Sequence, residues 1–424
     1  MWNSSRQDGG YGWVMTAIAF AANLILLGTF KSFGVFLLPV QESLQCSITT
    51  LGTVVAATHT TGFIFIPLMN RIAKTYGARR LAIAAGLLTF VCFVGTSTAN
   101  NLPQFSVFVI LWGVGVAMGY GPPIVEMLLY FPTNPALPIG IVGTGAGVGM
   151  MLCPPLAEFL IDIYGWRGAM LLFAALNANI CVLGALIKPA SSTYTALDGG
   201  SRESTRQSDG CTLWRCCTFI LKRICEVLAL DVLWFEPKFA MQALVSFLVG
   251  VMYSAWMIFL VPHAIARGIN SQMASFLSTA GGVGTIVGRV LQGLLLHTGW
   301  VTALQFYTFL AFIDLVAFVL DPIISANYPG LVCVAFANGL GIPTMAVLFL
   351  QVAQQVLSKD LSVQGWGTLL VFFAFGELAG GALAGVTYEA TGSYDTSFWM
   401  LGGVSGVAVV ILVTERILHK CSGD

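Results

Sequence analysis

Apolar stretches of about twenty residues or more follow one another along the chain, separated by short polar breaks. Crossing a bilayer takes roughly 20 apolar residues in a helix, because lipid leaves every backbone polar group to be satisfied within its own segment. Twelve segments meet that length: 14–37, 51–70, 80–99, 104–130, 138–160, 167–188, 238–261, 273–296, 300–320, 329–351, 362–386 and 396–416. The pattern predicts an all-α membrane protein with twelve spanning helices. The opening residues 1–10 lack the charged-then-apolar layout of a cleaved signal, so the first span is expected to be retained.

The polar breaks divide the chain into a short N-terminal flank (1–13), a six-span half (14–188), a linker (189–237), a second six-span half (238–416) and a short tail (417–424). The two halves echo each other. Asn70-Arg71-Ile72-Ala73-Lys74-Thr75-Tyr76-Gly77 closes the second span, and Gln292-Gly293-Leu294-Leu295-Leu296-His297-Thr298-Gly299 closes the eighth, 222 positions later. Asp162-Ile163-Tyr164-Gly165-Trp166 joins spans five and six, and Glu389-Ala390-Thr391-Gly392-Ser393 joins eleven and twelve, 227 positions later. Similar offsets at corresponding places argue for a duplicated six-span unit. Two such halves imply the major facilitator architecture, with a path between them near the bilayer midplane.

Composition agrees: 57% of residues are hydrophobic and only 9% charged, which no soluble domain of this length resembles. Net charge is zero and names no partner, but its distribution is informative. Arg6, Arg71, Lys74, Arg79, Arg80, Lys359, Arg416, Lys420 and the linker cations fall on one side of the predicted topology, and only Arg167 and Arg267 on the other. That bias predicts cytoplasmic termini. The linker starts flexible and Ser/Gly-rich, then becomes apolar with interspersed charge from 211 to 235, a pattern expected of a helix on the inner membrane face. Its Cys211, Cys216, Cys217 and Cys225 are candidates for palmitoylation; their irregular spacing without His argues against metal.

Two cations interrupt the apolar segments: Lys31 and Arg289. A charge at membrane depth costs from ~3 to over 10 kcal/mol and persists if it snorkels, is paired, or faces a wet cavity. For Arg289 the alternatives are an acid from another helix, the inner interface, or a cavity where its planar fork could grip a carboxylate. Lys31 lies toward the outer end of its span and could snorkel outward. Spans four, five, eight and eleven are rich in glycine, including Gly140, Gly145 and Gly149, which lets helices approach and slide. Glu126, Glu158, Asp314 and Glu377 are the acids in or near spans, and His59 and His263 could titrate near neutrality. Hydrolase and metalloprotease motifs are missing, as are calcium and phosphate loops, so no enzyme, metal or cofactor is expected.

Asp8-Gly9-Gly10-Tyr11-Gly12-Trp13 resembles the signature that opens the first span of the monocarboxylate transporter family. Around span five, Tyr130, Phe131, Leu137, Gly140, Gly145 and Gly149 match the second family signature in register, while Thr133, Asn134 and Pro135 replace its basic trio. The resemblance covers essentially the whole membrane part. It implies a plasma-membrane transporter of a small monocarboxylate or related carboxyl-bearing solute, working by alternating access. Arg289 would clamp the carboxylate, Lys31 would attract it from outside, and Phe349 would contact it. Gly12, Trp13, Gly140, Gly145, Gly149 and the loop cations Arg71 and Arg79 would serve conformational change. Some family members also have a single-span escort glycoprotein. Thr285 stands where proton-coupled members carry an Asp, so coupling is expected to be weak or absent, with Thr285 offering a neutral hydrogen bond and Glu377 as the substitute proton carrier. A neutral, zwitterionic or aromatic solute, or a non-transporting nutrient sensor, stays open as an alternative.

Overall fold

The computed structural model describes residues 10–131, 136–189, 236–324, 327–357 and 359–421. Its regular structure is helical throughout. In chain order the helices are α1 (Tyr11–Leu44), α2 (Ile48–Tyr76), α3 (Ala78–Ser97) and α4 (Leu102–Leu129). A continuous run, Ala136–Leu186, turns back at Gly165 (φ 66°, ψ 170°) and forms two spans, α5 (136–164) and α6 (166–186). Then come α7 (Pro237–Ala266), α8 (Ser271–His297), α9 (Ala303–Ile324), α10 (Tyr328–Val356), α11 (Lys359–Thr391) and α12 (Tyr394–Cys421). The expected linker helix and its four cysteines lie outside the described residues, as do Asp8, Gly9 and 132–135.

Local chemistry sets the boundaries. Ser47 and Asn101 cap α2 and α4 by accepting hydrogen bonds from the backbone N–H of Thr50 and Gln104. At Gly77, φ is 87°, a left-handed conformation that glycine adopts without a Cβ clash and that lets α3 follow α2 with no intervening loop. The helices run past the predicted spans: α1 has 34 residues, about 50 Å at 1.5 Å per residue, so its ends project beyond the hydrocarbon. Outward faces stay apolar, as with Val107 and Val410, 63% and 65% exposed, because lipid is their solvent.

The two six-helix halves meet along three main seams: α1 with α7, α2 with α11, and α5 with α8. At the end of the bundle away from the linker these seams are closed. Thr279 donates to Met151 O at 2.8 Å, Gln272 to Asp162 at 3.1 Å, and Ser47 to Glu389 at 2.6 Å. Glycines permit this approach: a Cβ on Gly282 would lie 2.6 Å from Met151 N and 2.7 Å from Gly147 O. Toward the linker end the halves separate, and α4 and α10 face each other across a cavity.

Candidate functional site

That cavity, about 250 Å³, occupies the linker-side part of the bundle between the halves. It extends to Leu128 and Gln351, near the linker-side ends of α4 and α10. The N-terminal half contributes Asn23, Phe63, Asn70, Tyr120 and Gly143; the C-terminal half contributes Tyr253, Arg289, Gln351, Trp366 and Phe373. The wall is thus mostly apolar and aromatic with a few polar points, the usual makeup of a small-molecule site. Buried oxygens of Asn70 and Gln351 are without a hydrogen-bond partner, leaving acceptors available on the wall.

Arg289 brings the only cation to the described lining, and no carboxylate lines the cavity with it. Its Nη1 donates across the seam to Gly143 O, and its Nε is buried without a partner. Two glycines make room for this contact. Gly288 packs against the Leu340 backbone of α10, which orients the next side chain toward the seam, and Gly143 has no side chain to stand in its path. A guanidinium that gives one donor to a carbonyl and has a buried Nε without a partner keeps donors for an anion. Tyr120 and Tyr253 share the wall with it.

Lys31 is placed differently. It is fully buried, donates to Trp256 O and Met257 O at 3.1 and 3.3 Å, and lies 3.8 Å over the Trp256 ring. The ammonium therefore ties α1 to α7 in the closed seam instead of snorkelling to the outer surface. Three acceptors meet one strongly hydrated cation here, which offsets part of its desolvation.

Two of the expected contacts are absent from the cavity wall. Thr285 points away from it: the hydroxyl is buried and lies 3.0 and 2.9 Å from Gly281 O and Gly339 O, so it offers no hydrogen bond beside Arg289 in this conformation. Phe349 is buried one layer behind, its ring 5.5 Å from that of Phe373, which does line the cavity. Phe349 belongs to α10 and Phe373 to α11, and which of the two faces the cavity is set by the rotation of each helix, which sequence alone does not specify.

Glu377, on α11, meets His59 of α2 through Oε1 and Nδ1. Both are buried between the halves. The His59 ring stacks on Phe30 at 3.8 Å and also touches Phe63 and Tyr253, so it roofs the cavity. The sequence marked His59 only as a group that could titrate near neutrality; its partner lies 318 residues away and no local signal connects them. Asp314 is sealed in the C-terminal half against Gly341 of α10.

The conformational candidates divide. Gly145 and Gly149 abut the α1 backbone at Phe20 and Leu24, holding α5 against α1 within one half. Gly12 faces Phe131 and Tyr130, and the Trp13 and Phe131 rings meet edge to face at 5.3 Å, fastening the start of α1 to the end of α4. Gly140 has nothing packed where a Cβ would be, and Arg71 and Arg79 are exposed at the linker end.

Comparison with known proteins matches the arrangement. A family model described as Major Facilitator Superfamily matches residues 18–368. Monocarboxylate transporter 11 of Mus musculus is 28% identical over 399 residues, covering 92% of this chain and 84% of the relative. The Homo sapiens protein of the same name is 27% identical over 98% of this chain and 85% of its own length. Monocarboxylate transporter 12 of Mus musculus is 24% identical over 98% of this chain and 88% of its length. Among solved structures, the nucleoside transporter NupG superposes with a TM-score of 0.72 at 12% identity, covering 96% of this chain and all of that one, which speaks for the fold. The chain is a multi-pass membrane transporter of the Major Facilitator Superfamily, with monocarboxylate transporters as its relatives over nearly its whole length.

Proposed function

We propose that the protein carries a small monocarboxylate, or a related carboxyl-bearing solute, across the plasma membrane by alternating access. One observation carries this reading: the Arg289 guanidinium stands on the wall of the central cavity with no acidic partner there. Two parallel N–H donors match one carboxylate, and the apolar wall strengthens that pairing by excluding water. The seams closed at one end and the cavity at the other correspond to one of the two states that alternating access requires. The exposed Arg71, Lys74, Arg79 and Arg80 at the linker end support a cytoplasmic linker and cytoplasmic termini, so the cavity belongs to the inward-facing state.

Lys31 has a different role here from the one its sequence position implied. In this state it fastens the closed seam, and it would meet an anion from outside only after α1 and α7 part. Weak proton coupling was expected from Thr285, yet that residue stands apart from the cavity, so the identity at this position says little about coupling.

A second reading has its own support. Phe63, Tyr120, Tyr253, Trp366 and Phe373 surround the cavity, and the unpartnered oxygens of Asn70 and Gln351 accept hydrogen bonds. Those walls suit a carboxylate or zwitterion with a flat body and a distant N–H or O–H group. Uptake of a panel of labelled carboxylates and amino acids into cells expressing the chain, beside Arg289→Ala, tests both readings. Uptake of a carboxylate that Arg289→Ala abolishes supports the first. Uptake limited to solutes without a carboxyl group, unaffected by that substitution, would sink it.

A further inference from the structure

We propose that His59 and Glu377 together form a proton-binding site that latches the two halves of the transporter. This deepens the transport reading above and rests on it for its role in coupling, although the site itself can be tested without a substrate.

The pair spans the α2–α11 seam, so one partner belongs to each half. Both side chains are essentially without solvent contact. Their remaining heteroatoms, His59 Nε2 and Glu377 Oε2, are buried with no partner. A neutral imidazole donating to a carboxylate would leave a net negative charge in this setting, with one carboxylate oxygen unsolvated. One further proton makes the pair neutral overall. An uncompensated buried charge costs more than an orphaned polar atom, so the neutral pair is the form that closes.

The surrounding charged and titratable groups do not supply that compensation directly. Lys31 of α1 is bound to Trp256 O and Met257 O and to the Trp256 ring. Arg289 of α8 reaches Gly143 O from the cavity wall. Tyr120 of α4 and Tyr253 of α7 line the cavity beneath the pair. Glu389, farther out on α11, accepts from Ser47. On α12, Glu415 is met by Gln242 and Asp395 by Arg267, at opposite ends of the helix. On α2 and α3, Lys74, Arg79 and Arg80 are exposed at the linker end.

Opening the sealed end separates α2 from α11 and brings both side chains to water. There an imidazole titrates near 6.5 and a carboxylate near 4.3. Above about pH 6.5 the opened pair gives up its extra proton, and resealing takes one up. Acid on the outer side thus favours the sealed form. With a carboxylate on Arg289, each resealing would enclose one anion and one proton, bound at different places.

Hydrogen exchange of the full-length protein in lipid nanodiscs, read by mass spectrometry with no solute added and corrected for intrinsic rates, tests the latch. Backbone amides of 48–56 and 380–389 report opening of the seam. In the wild type their protection should fall with rising pH above about 6.5, by up to about tenfold per pH unit for one linked proton. Glu377→Gln should stay protected with a flat profile above about pH 6.5, and lose protection only below it, where the opened imidazole binds a proton that the sealed site does not. His59→Gln should begin its fall near the carboxylate range, about 4.3, instead of 6.5. A structural role alone would lower protection at every pH without moving the onset. A flat wild-type profile, or a Glu377→Gln profile that keeps the wild-type slope, overturns the proposal; should His59→Gln fail to assemble, the Glu377→Gln profile decides. If no carboxylate in the uptake panel is carried while the predicted profiles appear, the latch stands and the substrate reading falls.

Discussion

The interface between the halves has two regions built from the same helices and opposite in character. Away from the linker it is sealed by backbone approach at glycines, by Lys31 on the α7 carbonyls and by the His59–Glu377 pair. Toward the linker it holds a cavity edged by Arg289. The two intramembrane cations fall on opposite sides of this divide. Lys31 is a compact charge on a flexible stem, and converging backbone oxygens and a ring face can surround it. Arg289 is a planar fork with more donors than its neighbours use. The lesson is that a charge in an apolar span marks either a fastening or a binding point, and that the number of protein partners distinguishes them.

The comparison can be broken from the sealed side first. Gly282→Leu would put a bulky side chain where even a Cβ lies 2.6 Å from Met151 N, so the α5–α8 seam should not close. Uptake is expected to be lost entirely, with the protein still reaching the membrane and the end of α8 away from the linker becoming accessible to aqueous thiol or amide probes. Normal uptake would mean that the seam is no part of the cycle.

Arg289→Ala should come next. Loss of a charge-assisted, two-point contact of about 3 kcal/mol corresponds to a roughly hundredfold fall in uptake kcat/KM for a carboxylate solute. Arg289→Lys should recover only part of it, because a point charge replaces a fork. Equal activity of all three forms would place the anion elsewhere.

Lys31→Met should act on conformation more than on binding. Removing the ammonium from Trp256 and the α7 carbonyls loosens the sealed end by about 1–2 kcal/mol. Uptake should drop by roughly tenfold, with the concentration for half-maximal uptake changed less than about threefold. A change confined to that concentration would show Lys31 to be a substrate contact after all.

The smallest effect belongs to Thr285→Val. Its hydroxyl bonds only to helix carbonyls, so uptake should stay within about threefold of wild type, with a stability loss near 1 kcal/mol. A large loss of uptake at unchanged expression would return Thr285 to the translocation path in the opposite state.

Much of this architecture was legible in one dimension. Apolar length counts spans, because lipid imposes the same requirement on every crossing segment. Gly165, in a loop motif of the sequence, is where one run of helix folds back into two spans. Arg289 was singled out by a rule that needs no partner: charge is rare at membrane depth. Asn23 and Asn70, polar positions inside predicted spans, carried a fainter version of that signal and proved to line the cavity. Tyr120, Tyr253 and Trp366 carried none, since the same residue types fill the core.

Sequence by itself determined the number of crossings, the division into two related halves, the charge asymmetry of the loops and the presence of two costly cations. These depend on composition within a window the length of a helix, where hydration and backbone hydrogen bonding act locally. Only the tertiary structure decided that Lys31 closes a seam, that Thr285 turns from the cavity while Arg289 enters it, and that His59 meets Glu377. Each of those outcomes depends on the rotation of one helix against another, a balance of many weak packing contacts among residues far apart in the chain.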